Sequence, residues 1–383
     1  MNLNFLKIID QFLEFCRGFV PVGLVYFWQH QTTRGMIPMN EINITVNVDR
    51  VDEEKTDFES FCEKNGNFMQ SENWAQVKKG WQAEYVTARI GGRITGTMLI
   101  LIKKLPVINS TIFYAPRGPV CDYNDRLTLL QLIDKVKKLA KEYHACFLKI
   151  DPLIDAEDEA AAEMFRSLGF VLHTDRVGYD NIQCRENYML DIAGRTADEV
   201  FAGFKPKWRY NIRLSARRGV TCGFYGEEKL GDFCRLMAST AMRDGFEMRG
   251  EDYFKGILRE MKGHAGLCMA YLGEQPLAGA LYVEYAGTMS YVYGCSSDKD
   301  RSCMPNYLMQ WTMIQKAAED GCEVYDFMGI PYWYDEKHHN YGVYHFKQGF
   351  NGYVKTYIGE MDLVFKPMIY RLYNAAWWVK KHI

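Results

Sequence analysis

The chain has 383 residues, 48% hydrophobic and 25% charged, which is enough apolar material for two or three cores and excludes long disordered tracts. Its net charge of −2 provides no global field toward nucleic acid, so any RNA contact has to come from a local patch. Eleven cysteines at irregular spacing, odd in number and without a CxxC pair, favour buried free thiols in a reducing compartment over a disulfide framework or metal cluster. His338, His339 and His345 lie in a polar loop without a matching Cys or carboxylate set, so no metal site is expected.

Residues 1–40 stand apart. The stretch 12–28 is apolar and aromatic, but Glu14 and Arg17 interrupt it and Pro21 breaks it, which makes it too short and too charged for a span. It also lacks the pattern of a secretory signal. A disordered leader upstream of a start near Met36 or Met39, or a segment touching the membrane periphery, fits these residues.

From residue 41 strands and helices alternate. Residues 42–48 read as an edge strand, 53–64 as an amphipathic helix and 74–79 as a short one. Residues 84–90 and 95–103 read as a hairpin over Gly91-Gly92, and a short strand at 112–114 ends in Ala115-Pro116-Arg117-Gly118-Pro119. A long helix at 125–143, a buried strand at 146–150 and a helix at 157–168, stopped by Gly169, follow. The order then recurs. A strand at 188–192, helical sequence at 197–218 and a strand at 220–224 precede helices at 229–243 and 251–261. A hairpin at 266–272 and 277–284 over Gly273-Glu274, a strand at 288–294, a long helix at 305–320 and a buried strand at 324–328 complete it.

Helices, a meander hairpin, a strand, a long helix and a strand are the order of an acetyltransferase-type α+β unit. The chain is therefore expected to hold two tandem acetyltransferase-like (GNAT-like) domains sharing a cleft. The first comprises 41–188 together with a returning segment 359–383, and the second 189–358. An acyl-CoA enzyme on this scaffold needs a glycine-bearing pyrophosphate loop before each long helix. Cys121-Asp122-Tyr123-Asn124-Asp125 and Arg301-Ser302-Cys303-Met304-Pro305-Asn306 contain no glycine, and the first carries two acids, so the acyl donor is expected to be something else.

Several residues read as a site on chemical grounds. Lys347 sits between Phe346 and Phe350 in a run expected to be a strand, where a buried cation needs a reason. Asp151 ends the buried strand and suits either a general base or a turn cap. Arg249 and Tyr253, four residues apart, share a face if helical. Lys205, Lys207, Arg209, Arg213 and Arg217 belong to a stretch with six cations and no acid between 205 and 218. Beside an apolar stripe of Trp208, Ile212 and Ala216, they suit either the phosphates of a nucleic acid or a solvated face. Residues 366–383, with Trp377-Trp378 and Lys380-Lys381, form an amphipathic helix suited to packing back on the first domain or to an anionic membrane surface.

Six motifs in order resemble the Fem-type (FemABX) peptidoglycan aminoacyltransferases. These are Gln70-Ser71-Glu72-Asn73-Trp74 with Lys78, the strand end Tyr114 to Pro119, Leu148-Lys149-Ile150-Asp151-Pro152 and the basic stretch Lys207 to Gly219. Tyr325-Asp326-Phe327-Met328-Gly329-Ile330 and Phe346-Lys347-Gln348-Gly349-Phe350 complete the set. The resemblance implies a cytoplasmic enzyme, at or near the inner face of the plasma membrane, with aminoacyl-tRNA as co-substrate and no cofactor. Its acceptor is implied to be the stem-peptide amine of a peptidoglycan precursor, either UDP-MurNAc-pentapeptide or its lipid-linked form. It further implies that Lys78, Arg249, Tyr253 and Tyr293 hold the precursor and that Lys347 stabilises charge on the attacked ester carbonyl. The coiled-coil arm of some members has no room here, since only residues 254–266 separate Tyr253 from the strand at Leu267. An acyl-CoA N-acyltransferase and a non-catalytic precursor-binding protein remain as alternatives.

Overall fold

The computed structural model describes residues 52–382, apart from 107, 177, 179 and 180; the leader at 1–40 and the strand at 42–48 lie outside the described residues. α1 (Asp52–Asn65) and α2 (Glu72–Val77) open the described chain. Ser71 starts α2 by accepting the Trp74 N–H at 3.0 Å, and Trp74 enters the core. β1 (Gln82–Ile90) and β2 (Arg93–Lys104) form the expected hairpin. Gly91 and Gly92 have φ of 58° and 80°, the left-handed pair that a two-residue turn requires.

β3 (Thr111–Ala115), β4 (Val120–Cys121), α3 (Arg126–Glu142), β5 (Ala145–Ile150), α4 (Glu159–Ser167) and β6 (Phe170–His173) continue the first sheet and its helices. β7 (Glu186–Asp191), α5 (Ala197–Gly203), α6 (Pro206–Arg217), β8 (Val220–Tyr225), α7 (Leu230–Asp244) and α8 (Glu251–Glu260) begin the second unit. β9 (Ala265–Leu272), β10 (Gln275–Tyr285), β11 (Thr288–Ser296), α9 (Pro305–Glu319), β12 (Val324–Gly329), α10 (Tyr341–Lys347) and β13 (Tyr353–Thr356) complete it. β14 (Glu360–Val364) and α11 (Pro367–His382) close the described chain.

Two mixed seven-stranded sheets result, ordered β1-β2-β3-β5-β14-β6 with β4 on β2, and β13-β7-β12-β11-β10-β9-β8. The parallel pairs β3–β5 and β11–β12 are the ones bridged by the long helices α3 and α9, so each half has the α+β organisation its element order predicts. Four residues separate α8 from β9, which leaves no coiled-coil arm. One apolar cluster runs through both halves, with Phe58 and Trp74 from α1 and α2 joining Phe233 and Phe254 from α7 and α8.

β14 returns to the first sheet between β5 and β6, a strand that no alternation in the sequence announced. A buried ion pair fixes it. Lys149 lies 2.8 Å from both Glu360 and Asp362, and His173 Nε2 lies 2.7 Å from the other Asp362 oxygen. Burial opposes ionisation of Asp362, but Lys149 and His173 outweigh it and hold the carboxyl well below the usual carboxylate range.

Three local expectations are corrected. The run around Lys347 is not a strand: α10 ends at Lys347 and a 3-10 turn, Gln348–Phe350, continues it, with Phe346 and Phe350 in edge-to-face contact one helical turn apart at 5.5 Å. The stretch 197–218 is two helices, because Pro206 starts α6 and holds Lys205 extended before it. On α6 the buried edge is Trp208, Asn211, Ile212 and Ser215, whereas Ala216 is exposed.

Candidate active site

The buried strand β12 ends in a backbone bend. Asp326 accepts the Met328 N–H at 2.6 Å and the Asn187 amide at 2.9 Å, and Met328 takes a left-handed φ of 62°. The carbonyl groups of Met328 and Gly329 then face the end of α10, and Lys347 Nζ donates to them at 3.3 and 2.8 Å. Burial pushes the Lys347 pKa down to about 8, with Asp326 opposing the shift. Two of the three ammonium N–H groups are thus committed, leaving one for the adjoining cavity.

That cavity has a volume of about 550 Å³, and Lys347, Arg249 and Tyr293 all line it. Arg249 is not on a helix as expected; it precedes α8, whose first turn carries Tyr253. The two still meet, with the Arg249 guanidinium 5.2 Å from the Tyr253 ring centre. Lys78, at the end of α2, reaches the Tyr253 hydroxyl at 3.3 Å and lies 4.3 Å from the Trp74 ring centre. Tyr253 packs edge-on against Tyr293 of β11 at 6.4 Å. Burial raises the pKa of both phenols, but Lys78, the hydrogen bond with Tyr293 and Arg249 overcome it at Tyr253, which ends below its ordinary value. Tyr293 moves the other way, through burial and then its neighbour Tyr253. The structure therefore brings together the four residues expected to hold a precursor, from both halves of the chain. Lys103 of β2 adds another cation: burial, and then Arg249, lower its pKa.

Asp151 is placed differently. Its oxygens accept the Tyr114 hydroxyl at 2.8 Å and the Arg117 N–H at 2.6 Å, and it is not among the residues lining the cavity. Burial pushes its pKa up to about 6 against the opposing Arg117. Arg117 has a left-handed φ of 55° and donates through its guanidinium to the Cys184 carbonyl at 3.0 Å. Asp151 thus braces the turn from Ala115 to Pro119. Gln70 braces the same turn from the other side, donating to the Pro116 carbonyl at 2.7 Å.

The cationic helix α6 packs directly on the Lys347 turn. The Trp208 indole donates to the Phe346 carbonyl at 2.9 Å, and a Cβ on Gly349 would lie 1.9 Å from that indole, so the close approach requires glycine. Lys205 Nζ reaches Gln348 Oε1 at 3.0 Å. Lys207, Arg213 and Arg217 are exposed, Arg213 lies over Phe201 and Arg217 over Tyr210. Arg209 is partly covered and donates to the Ala202 carbonyl.

A model of the FemAB family matches residues 53–275 and 273–377. The chain belongs to the FemAB family. A lipid II:glycine glycyltransferase of Staphylococcus haemolyticus (strain JCSC1435) is 30% identical over 380 residues, covering 80% of this chain and 90% of its own. The protein of the same name from Staphylococcus aureus (strain MRSA252) is 30% identical over 382 residues, with the same shares covered. The crystal structure of FemX superposes with a TM-score of 0.78 at 27% identity, covering 87% of this chain and 99% of that one. The structure of L-PGS from Bacillus licheniformis, at 14% identity and a TM-score of 0.50 over 87% of this chain and 96% of that one, shares the fold alone.

In this FemAB chain three contributors to the site escaped residue-level reading. Asp326 lay inside a quoted motif, and its signal was a carboxylate in an otherwise apolar buried strand. Arg117 sat in a turn that read as a strand end only. Lys103, followed by Lys104 at the tail of a β-strand, carries no local signal of a binding role.

Proposed function

We propose that the chain transfers an aminoacyl group from aminoacyl-tRNA to the stem-peptide amine of a peptidoglycan precursor. The observation that carries this is the placement of Lys347, buried and doubly anchored, in the same cavity as Arg249 and Tyr293. Lys78, Arg249, Tyr253 and Tyr293 form a cationic and aromatic cradle suited to the phosphates and carboxylates of such a precursor. The α6 cations, next to the Lys347 turn, suit the acceptor stem of the tRNA. Lipid II as acceptor and glycine as the transferred residue come to this chain from its relatives, as part of the proposal.

In the reaction the neutral acceptor amine attacks the ester carbonyl. The carbonyl oxygen gains negative charge next to the remaining Lys347 N–H, the C–O bond to the ribose breaks, and the ribose oxygen takes up the proton that the amine gives up. An aminoacyl ester is already activated, so positioning and oxyanion stabilisation suffice. Asp151, with both oxygens engaged in the Ala115–Pro119 turn, enters as a positioning residue.

The acyl-CoA alternative meets obstacles at both helix starts. Asp125 caps α3 by accepting the Leu127 and Thr128 N–H groups at 3.0 and 3.1 Å, so a carboxylate occupies the donors a pyrophosphate would use. At α9, Pro305 supplies no N–H. Incubation with precursor, charged tRNA or acetyl-CoA, read by product mass, separates the two readings.

A further inference from the structure

Among its described side chains, α11 uses one side for the fold. Ile369, Tyr370, Tyr373, Ala376 and Trp377 pack against a cluster that includes Leu105, Ile112 and Phe147, with Phe147 and Tyr373 rings 5.0 Å apart. The opposite edge stands in solvent, with Met368 81% and Leu372 64% exposed, Arg371 beside them and Ala375 one turn on. These positions follow the spacing of a helix stripe, so a second apolar face is presented outward.

Arg371 within the stripe and Lys104 next to the cluster are exposed, whereas Asp362, the acid that Tyr370 of α11 touches, is buried. Residues 366–383 contain Lys366, Arg371, Lys380 and Lys381 and no acid, and residues 103–121 contain Lys103, Lys104 and Arg117 and no acid. Lys104 is exposed next to Leu105, over which α11 packs. Lys366 fastens the start of α11 to the first unit through Ser110 Oγ and the His144 carbonyl, at 2.9 and 2.8 Å. An exposed apolar stripe with exposed basic residues in and beside it matches the interface of an anionic bilayer. No described helix is long and apolar enough to cross a membrane, so contact would be with the surface.

The same cluster leads back to the acceptor cradle. Trp81 packs against it, the Lys103 ammonium lies 5.2 Å from the Trp81 ring centre, and Lys103 feels the Arg249 charge. We propose that the outer edge of α11 docks on an anionic lipid surface and thereby sets the acceptor cradle at the bilayer interface. A precursor whose pyrophosphate lies at that interface reaches Lys103, Arg249 and Lys78 without leaving its membrane. The inference rests on the acceptor role proposed for that cradle, and its own test is vesicle binding.

The experiment floats the full-length protein with vesicles of phosphatidylglycerol or of phosphatidylcholine and repeats this with the double variant M368E/L372E. In parallel, transfer to water-soluble UDP-MurNAc-pentapeptide is measured without vesicles. The wild type is expected to bind phosphatidylglycerol vesicles, and the variant to bind at least about tenfold more weakly, with transfer to the soluble acceptor unchanged. Failure of the wild type to bind, or equal binding by the variant, overturns the proposal. Should sedimentation then show that the variant splits a dimer, the edge belongs to a second copy instead. Vesicle binding without transfer to either the soluble acceptor or lipid II in the same vesicles would retain the docking face and remove the acyltransferase reading.

Discussion

Lys347 Nζ donates to the Gly329 carbonyl at 2.8 Å, which ties the end of a helix to the end of a buried strand and fixes an ammonium at a cavity wall. The arrangement opposes the ammonium's own solvation. With its pKa at about 8, against the ordinary 10.5, Lys347 destabilises the folded state at neutral pH by roughly 3 kcal/mol. The sign follows from proton counts: between the two values the unfolded chain binds more protons, so stability from this group rises with pH through that window. The stability change caused by Lys347→Met is expected to be more favourable at pH 7 than at pH 10, because the wild type carries the buried ammonium's full penalty at pH 7. Urea titrations at both values check this, and an equal change at both would mean that Lys347 is not buried as a cation.

Asp151 separates positioning from base catalysis. Asp151→Asn keeps an acceptor for the Arg117 N–H and is expected to retain turnover within about tenfold, whereas loss of a true general base lowers it by roughly 10²–10⁴. Asp151→Ala removes the acceptor of the Arg117 N–H and of the Tyr114 hydroxyl and should cost about 1–3 kcal/mol of stability. Turnover of both variants, with a thermal melt of each, distinguishes the two roles.

Arg249 faces Tyr253 and lines the cavity, so under the proposed function its removal is expected to act on acceptor binding. Arg249→Ala is expected to weaken precursor affinity by about ten- to a hundredfold, the scale of a lost charge-assisted contact. Calorimetry with UDP-MurNAc-pentapeptide reads this directly. Unchanged affinity removes Arg249 from the binding set.

The α6 cations are predicted to act on the donor alone. Arg213→Glu with Arg217→Glu should raise KM for aminoacyl-tRNA by about tenfold or more and flatten its salt dependence, by roughly 0.7–0.9 in log–log slope per lost phosphate contact. KM for the precursor should stay constant. An equal rise in both constants would point to damage to the Lys347 turn, on which α6 packs.

Periodicity and turn residues made the two α+β halves legible, because Gly91-Gly92, the alternating hairpins and the long amphipathic helices carry their signals locally. β14 was not legible as a strand: its fit between β5 and β6 depends on Lys149 meeting Glu360 and Asp362 from more than 200 positions away. The Lys347 run was read with the wrong period, although Phe346 and Phe350 already stood one helical turn apart. Arg249 and Tyr253 were paired by their spacing, but Lys78 and Tyr293 joined them only through the family resemblance, since Lys78 and Tyr253 become neighbours when the two halves pack.

The most direct test mixes wild type or Lys347→Met with UDP-MurNAc-pentapeptide and a pool of charged tRNA, then reads product masses with and without ribonuclease. The expected product gains the mass of one amino-acid residue, a gain abolished by ribonuclease and slowed by roughly 10²-fold or more in the variant, the scale of losing one oxyanion donor. Wild-type turnover in Lys347→Met, or a product formed from acetyl-CoA instead, would contradict it.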